Sequence, residues 1–376
     1  MSDALRRALL SKVEQADSVI HSGTNSGTNS KKGTSLLAPE ADFSIDLPSW
    51  RDFFDQNETF LIKDGTYSFN AYFSLPKAES FPKNSTSQNI PIFIFHHGAG
   101  SSALSFAPLA QSLNEKLGNL CGTFTFDARG HGQTRTPDAT TFRLEDFVSD
   151  FCEILELFKK RYLEKLFTES SFSLILVGHS LGGSICCSAF EQLDQSLRQK
   201  IVGVAMLDIV EEAAKKALST VDTFLIKTPN VFPDYKAAID WHVQKKLSSL
   251  ETSAQISIPS LFTPSKSGKV TRITNLHTFR PFWNTWFTGL SSRFVKLPTS
   301  KLLILAGDDN LDRELIIGQM QGKFQLVVFQ DSGHFIEEDC PAKTALTLID
   351  FWKRNDVKNV VIKTNWSKKT SPVPLK

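Results

Sequence analysis

The 376-residue sequence lacks the features of a nucleic-acid-binding, membrane-spanning or secreted protein. Its formal net charge is only +2, so composition gives no reason to expect a nucleic-acid partner. No apolar run approaches the ~18 residues of a membrane-spanning helix, so we expect no membrane partner. The N-terminal residues MSDALRRALLSKVEQADSVI contain neither a long apolar region nor a small-residue cleavage site, which argues against a secretory signal.

Cysteine is scarce and irregularly spaced. The five cysteines are odd in number and show no C-x-x-C pattern, which favours free thiols in a reducing compartment over a disulfide or zinc framework. We therefore expect the protein in the cytoplasm, with the nucleus as a further location. The two arginines of the amphipathic N-terminus raise a mitochondrial address, but Asp3, Glu14 and Asp17 argue against it because such peptides avoid acidic residues.

The N-terminal part of the chain contains too few apolar side chains to fold alone. A short helix is predicted within residues 1–20, and residues 21–35 repeat GTNS twice. Such a polar stretch cannot offset the entropy of ordering, so it predicts a flexible linker. We divide the chain into a flexible segment (1–46), a folded domain (47–356) and a C-terminal tail (357–376).

Within the folded domain, short apolar runs alternate with helical patterns. Residues 60–75 are typical of an antiparallel hairpin at a sheet edge. Strands are predicted at 90–98, 171–180, 200–209, 301–309 and 325–333, a strand that leads into a Gly-rich loop is predicted at 122–132, and helices are predicted at 104–118, 144–162 and 181–193. Continuous apolar strands that alternate with helices indicate an α/β fold, with a mostly parallel central sheet flanked by helices. The irregular stretch at about 212–300 predicts a helical cap insertion over the strand ends.

The motif Gly178-His179-Ser180-Leu181-Gly182 predicts a nucleophile. It matches G-x-S-x-G and lies between a predicted strand and a predicted helix, which is the context that this motif requires. Its glycines allow a strained turn that holds the serine hydroxyl above the sheet. Ser180 is therefore the predicted catalytic nucleophile, and the His179 side chain is expected to point away from the site.

A serine hydroxyl needs a general base, and the base needs an acid to orient it. His334 follows the last predicted strand, where a loop returns over the sheet ends, and is the predicted base. Two groups of acids are compatible with the residue order that this fold requires. Asp208 follows the strand after the nucleophile, whereas Asp308, Asp309 and Asp312 follow the penultimate strand. The residues alone leave these two alternatives open.

The oxyanion of an ester hydrolysis intermediate requires preorganised N–H donors. We predict these donors to be the main-chain N–H groups of Leu181, at the start of a helix, and Ala99, in the sequence HHGAGSS. A phosphate-binding loop is the rival interpretation, but this loop lacks the Lys-Ser/Thr pair of a P-loop. No pattern of metal ligands is present, and the chemistry needs no cofactor.

Several segments of the domain resemble the protein phosphatase methylesterases, a family with the α/β-hydrolase fold. VGHSLGGS and LLILAGDDNLD occur in many hydrolases, whereas LDIVEEAA and GQMQGKFQ are more particular to a fungal-type member of this family. The resemblance implies that Asp208 is the triad acid and that Asp309 is structural, capping the helix that follows it. It also implies that the substrate is the methyl-esterified C-terminal leucine of the type 2A protein phosphatase catalytic subunit, bound in part by Gln319, Met320 and Gln321.

Two other functions share the same catalytic residues. A general small-ester carboxylesterase or lipase would use the same triad, and a phosphatase-binding regulator would depend on binding more than on turnover. The cap distinguishes them, because it decides whether a peptide terminus can enter. We expect aromatic and basic cap residues to anchor the partner: Trp241, Trp283, Trp286, Phe279 and Phe282, with Lys269 and Arg272 nearby.

Removal of residues 1–35 should change the esterase activity little, because this segment lacks the apolar groups to pack on the domain. The measurement is the hydrolysis rate of the truncated and full-length proteins side by side. Loss of most activity, or precipitation of the truncated protein, would show instead that the segment docks on the domain.

Overall fold

The structure is a computed structural model that describes residues 46–81, 89–137, 140–167, 172–307 and 311–356. The predicted N-terminal helix and linker and the C-terminal tail at 357–376 lie outside the described residues. The predicted fold class is confirmed. A mostly parallel sheet forms the centre of the domain, and helices cover both of its faces.

The central sheet has eight strands in the order β1-β2-β4-β3-β5-β6-β10-β11. The first two form an edge hairpin, in which β1 pairs antiparallel with β2 and β2 pairs antiparallel with β4, and the other pairs are parallel. The strands are β1 (Gln56–Ile62), β2 (Tyr67–Ser74), β3 (Ile90–His96), β4 (Gly122–Phe126), β5 (Phe172–His179), β6 (Ile201–Leu207), β10 (Ser300–Ala306) and β11 (Gln325–Phe329).

The continuous apolar runs become strands that are buried on both faces. Every residue of β3 and β5 is buried. Successive side chains of a strand point to opposite faces, so Ile92 and Ile94 join one half of the core while Phe93 and Phe95 join the other. The parallel arrangement places the carboxyl ends of six strands at one edge of the sheet, where ligands usually bind in open α/β sheets.

Helices form the two outer layers. α1 and α12 pack together on one face, and α2, α3 and α9 pack on the other. A π-helical turn, Lys159–Leu163, extends α2. The helices are α1 (Ala107–Lys116), α2 (Leu144–Phe158), α3 (Leu181–Gln192), α4 (Gln195–Arg198), α5 (Glu211–Leu218), α6 (Val221–Lys227), α7 (Tyr235–Gln244), α8 (Glu251–Ser257), α9 (Leu290–Lys296), α10 (Arg313–Met320), α11 (Ile336–Asp339) and α12 (Pro341–Asn355).

The stretch between β6 and β10 departs from the strand–helix alternation, and it is not purely helical. Besides α5 to α8, it contains a small antiparallel sheet in the order β7-β9-β8, with β7 at Val231–Phe232, β8 at Phe262–Pro264 and β9 at Val270–Arg272. Short strands of two or three residues give too little periodicity to be recognised in a sequence. Its last helix, α9, packs on α3 and α10 as an ordinary crossover helix.

A buried ion pair joins the loop after β4 to α2. The Arg129 guanidinium donates from Nε and Nη2 to the two carboxylate oxygens of Asp150, at 2.6 and 2.7 Å, and also to the carbonyl oxygens of Thr141 and Asp146. Both charged side chains are only 2% exposed. Four of the five N–H donors of the guanidinium are thus in use, and its removal from water is compensated by the geometry of the fork.

Asp150→Ala should lower the free energy of unfolding by about 3–5 kcal/mol, because it removes the two short hydrogen bonds to the buried Arg129 guanidinium and leaves it only the longer contact with the Asp146 carboxylate at 3.8 Å. Chemical denaturation followed by circular dichroism measures the change. The matched control is Asp331→Ala, which removes an exposed partner of Lys343 and should change stability little. Equal effects of the two substitutions would contradict this account.

Candidate active site

Ser180 occupies the sharp turn between β5 and α3. Its backbone has φ +51° and ψ −117°, a left-handed conformation that costs free energy in any residue with a side chain. Hydrogen bonds hold the turn in place, because the Ser180 N–H donates to the Leu207 carbonyl at 3.0 Å and the Gly183 N–H donates to the Ser180 carbonyl at 3.0 Å. The turn lifts the serine out of the sheet at the carboxyl end of β5.

The two glycines of the motif allow the backbones around Ser180 to approach closely. A Cβ atom on Gly178 would lie 2.2 Å from the carbonyl oxygen of Gly182, and one on Gly182 would lie 2.0 Å from the carbonyl oxygen of His96. Neither distance is possible for a real side chain. The sequence motif therefore reports a steric requirement of the contact between β5, α3 and the end of β3.

Asp208 and His334 form a short contact beside Ser180. His334 Nδ1 lies 2.6 Å from Asp208 Oδ2, and the other carboxylate oxygen of Asp208 accepts a hydrogen bond from the Ala306 N–H at 2.9 Å. Burial lowers the pKa of His334, which keeps the ring neutral. The Nδ1–H then donates to the carboxylate, and Nε2 remains as the nitrogen that can accept a proton.

Ser180 and His334 line the same cavity, but no hydrogen bond joins them within the described part of the chain. Catalytic hydrogen bonds are often long in ligand-free enzymes and shorten when substrate binds. The structure therefore brings all three predicted triad residues to one place, with the acid–base contact formed and the base–nucleophile contact open.

The other candidate acids do not contact His334 in the described part of the chain. Asp312 is the N-cap of α10, and its carboxylate accepts hydrogen bonds from the Leu315 N–H and from the Ser291 hydroxyl. We had expected Asp309 to cap this helix, but the residue that caps it is Asp312. Asp308 and Asp309 lie outside the described residues. Among the described acids, Asp208 is the carboxylate that contacts His334.

The two predicted oxyanion donors flank Ser180. Leu181 is the first residue of α3, and Ala99 lines the same cavity as Ser180. A Cβ atom on Gly98 would lie 3.1 Å from the Ser180 Cβ, so the loop after β3 lies against the nucleophile. Within the described main chain neither the Ala99 nor the Leu181 N–H donates a hydrogen bond, which leaves both for an oxyanion.

Two buried histidines, to which the sequence assigned no role, hold this loop in place. His97 donates from Nδ1 to the Gly98 carbonyl and accepts at Nε2 from the Ala128 N–H, at 2.8 and 2.9 Å. His131 accepts at Nε2 from the Gly100 N–H, at 2.9 Å. Burial lowers the pKa of both rings, so both are neutral and can accept. The signal in the sequence was the second histidine-containing loop, DARGHG, after the neighbouring strand.

His179 does not point away from the site, so that expectation was wrong. Its ring lines the cavity, with its centroid 4.6 Å from that of His334, and its Nε2 donates to the His334 carbonyl at 2.9 Å. Its Nδ1 lies 3.2 Å from Oε1 of Glu337, which is fully buried. Neither Glu337 oxygen has a hydrogen-bond partner in the described structure. Burial raises the pKa of Glu337 and lowers that of His179, which favours a neutral pair behind the base.

The cavity above Ser180 is about 190 Å³ in volume and is mostly apolar. Phe279, Trp283 and Trp286 line it and are at most 8% exposed. These three residues therefore face the inside of the site, and we correct the expectation that they anchor a partner from the surface. Trp241 packs against a separate cap cluster around Phe232. Local sequence cannot distinguish an aromatic residue that lines the cavity from one that packs inside the cap, because the neighbours of each residue come from distant segments of the chain.

The predicted substrate-binding residues Gln319, Met320 and Gln321 are all exposed and do not line this cavity. They end α10, which runs back from the carboxyl end of β10 to the start of β11. They thus lie near the amino ends of the strands, at the edge of the sheet opposite to the one that carries Ser180. The sequence shows that these three residues precede the final strand, but it does not show that the start of this strand lies far from Ser180.

In the described part of the chain, no helix has the length and apolarity to cross a membrane. Groups of three or more His, Cys, Asp or Glu side chains arranged to hold a metal ion were not found among the same residues.

The fold and the site together define a serine hydrolase. Residues 91–339 match the family of the α/β-hydrolase fold. Among solved structures, an E-2-(acetamidomethylene)succinate hydrolase superposes with a TM-score of 0.59 at 17% identity, covering 79% of this chain and 99% of that one. This likeness establishes the fold and not the substrate.

Closer relatives identify the family. The chain is 52% identical to protein phosphatase methylesterase 1 of Kluyveromyces lactis, over 96% of this chain and 95% of that protein, and 52% identical to the Saccharomyces cerevisiae protein, over 97% and 98%. The Candida glabrata protein of the same name is 58% identical over 84% of this chain and 81% of its own length. The chain belongs to the protein phosphatase methylesterase family.

Asp208→Asn should lower kcat for ester hydrolysis by about four orders of magnitude, the loss that a base in the wrong tautomer causes in serine proteases. The matched control is Asp312→Asn, because asparagine can replace aspartate as a helix cap and should leave kcat within a few fold. Steady-state kinetics with one ester substrate measures both variants. A larger loss at Asp312 than at Asp208 would remove Asp208 from the triad.

Proposed function

We propose that the protein hydrolyses the methyl ester on the C-terminal leucine of the type 2A protein phosphatase catalytic subunit. The observation that carries this proposal is the Asp208–His334 contact of 2.6 Å beside Ser180, at an apolar cavity. It occurs in a chain that is 52% identical to a protein phosphatase methylesterase over nearly its whole length. The products would be methanol and a free carboxylate.

The geometry supports an acyl-enzyme mechanism. His334 takes the proton of Ser180 as its hydroxyl oxygen attacks the ester carbonyl, and the N–H groups of Ala99 and Leu181 stabilise the oxyanion. His334 then protonates the departing methanol. A water molecule, activated by the same histidine, hydrolyses the acyl-enzyme and releases Ser180. The chain's own residues perform every step, and the mechanism requires no cofactor.

The apolar cavity is suited to the leucine side chain. Its wall includes Ile209, Leu225 and Trp283 together with the catalytic residues. Burial of one leucine contributes only about 1.5–3 kcal/mol, which is too little to select one ester among many. Recognition of the phosphatase therefore requires contacts outside the cavity.

We propose that the exposed end of α10 supplies one of these contacts. Met320 is 84% exposed, and Ile316 and Ile317 on the same helix are 47% and 40% exposed, with Gln319 and Gln321 beside them. Exposed apolar side chains rimmed by polar ones are typical of protein interaction sites. Because this helix end lies away from Ser180, it would contact the body of the phosphatase while its tail enters the cavity.

We also propose that the protein acts in the cytoplasm, with the nucleus as a further location. All five cysteines are free thiols in the structure, which supports a reducing compartment. Fluorescence microscopy of a tagged full-length protein would test this, and a mitochondrial signal would contradict it.

The decisive experiment measures methanol release from the methyl-esterified phosphatase by the purified protein. Ser180→Ala is the control for background release, because alanine keeps the small size that the turn at Ser180 requires. Release by the wild type and none by the variant would support the proposal. Hydrolysis of small esters without release from the phosphatase would instead favour a general esterase, and tight binding without release would favour a phosphatase-binding regulator.

Met320→Glu should raise KM for the intact methylated phosphatase by about tenfold or more, since it places a charge in an apolar contact. A short peptide that ends in leucine methyl ester cannot reach α10 from the cavity, so its KM should respond much less. The matched control is Leu346→Glu, an apolar side chain on α12 that is 54% exposed. Equal changes for the two substrates would show that α10 acts on the catalytic site and not on the partner.

A further inference from the structure

A second, smaller cavity adjoins the one that contains Ser180. Its volume is about 90 Å³, and it shares five wall residues with the first: Ala99, Phe224, Leu247, Leu276 and Phe335. The polar side chains of the first cavity are Ser180, His179 and His334, whereas the wall of the second includes Arg272, His242, Ser101 and Glu338. The two cavities therefore meet at the loop that carries the predicted oxyanion donor, and they differ in chemistry.

Arg272 brings a positive charge to the wall of this cavity. Its guanidinium makes a weak contact with the Gly100 carbonyl at 3.5 Å, lies 3.3 Å from His242 Nε2 and stacks on the Phe262 ring. Its Nε atom is buried and has no hydrogen-bond partner. Among the described residues, no carboxylate lies within ion-pairing distance of this guanidinium. At most two of its five N–H donors are thus in use.

The neighbouring histidine cannot balance this charge. His242 Nδ1 donates to the Ala238 carbonyl at 2.7 Å, so Nε2 is the atom that accepts from Arg272. This pattern requires a neutral ring. Burial lowers the pKa of His242 to about 4, and the Arg272 charge acts in the same direction. The contact positions the guanidinium but leaves its charge uncompensated.

The carboxyl group of Glu338 is also unsuited as a counter-ion. Its Oε2 accepts hydrogen bonds from the hydroxyls of Ser248 and Ser257 at 2.6 and 2.9 Å, and it makes no ion pair with Arg272. Burial raises the pKa of Glu338 to about 8, so at neutral pH the group is mainly uncharged. The wall therefore retains a net positive charge next to the catalytic cavity.

A charge that is held out of water without a partner is unfavourable, and arginine binds carboxylates through two parallel hydrogen bonds. We propose that the Arg272 cavity is a subsite for an acidic side chain of the substrate, in the residues directly before the esterified C-terminal residue. This inference rests on the proposed function, because it requires a peptide as the acyl part of the ester. With the leucine side chain in the apolar cavity, the preceding residues extend past the Ala99 loop, where the second cavity opens.

The test uses peptides that end in leucine methyl ester and carry aspartate or asparagine at the second, third or fourth residue from the end. For the wild-type enzyme, aspartate at one of these positions should raise kcat/KM by about tenfold to hundredfold over asparagine, the range expected for a charge-assisted hydrogen bond. In Arg272→Gln this ratio should fall to near one. The matched control is Lys266→Gln, which removes an exposed positive charge from the turn between β8 and β9 and should keep the ratio.

Each outcome bears on the subsite separately from the esterase activity. Hydrolysis of all peptides without any preference for aspartate would overturn the subsite and leave the proposed function intact. A preference that survives in Arg272→Gln would place acid recognition elsewhere and overturn it as well. Should Arg272→Gln not fold, Arg272→Lys keeps the charge but loses the paired donors, and its ratio should lie between one and the wild-type value. Failure to hydrolyse any peptide would count against the proposed function itself.

Discussion

The approach of Gly182 to the carbonyl oxygen of His96 is the constraint on which the rest of the site depends. A Cβ atom there would lie 2.0 Å from that oxygen, so only glycine lets α3 begin so close to the end of β3. This contact brings the Ser180 turn and the Ala99 loop together at one edge of the sheet. The predicted nucleophile and the predicted oxyanion donors owe their spacing to it, and the strained backbone of Ser180 is stable because strand, helix and loop all hold it.

The buried polar groups around this contact explain how so many histidines serve one site. His97 and His131 accept main-chain N–H groups from two loops, and His179 donates to the carbonyl of the base. All three must be neutral for these roles, and burial provides this by disfavouring the charged ring. A positive charge on His179, 4.6 Å from the His334 ring, would oppose formation of the imidazolium during catalysis. The neutral state that burial favours in these three rings thus suits the protonation of His334 in the proposed mechanism.

The cap divides the substrate-binding space into two chemically distinct parts. Phe279, Trp283 and Trp286 make the first part apolar, and Arg272 gives the second a positive charge. Both parts meet at Ala99. Such an arrangement suits an acyl group that continues beyond the reacting ester, because a small ester needs only the first part. The exposed end of α10 lies at the opposite edge of the sheet, near the amino ends of the strands, so recognition of a large partner would extend far beyond the edge that carries Ser180.

The sequence by itself predicted the sheet, the turn at Ser180 and His334 as the base, because each is encoded by neighbouring residues. Apolar runs fix buried strands, and G-x-S-x-G fixes a turn that few other residues can adopt. The sequence left the triad acid open between two strand ends, and only the resemblance to a family favoured Asp208. Tertiary structure alone shows that Asp208 contacts His334 across 126 positions, that the cap residues Phe279, Trp283 and Trp286 face inward, and that Arg272 has no counter-ion among the described residues. Those properties arise from contacts between distant segments, which local composition and periodicity do not specify.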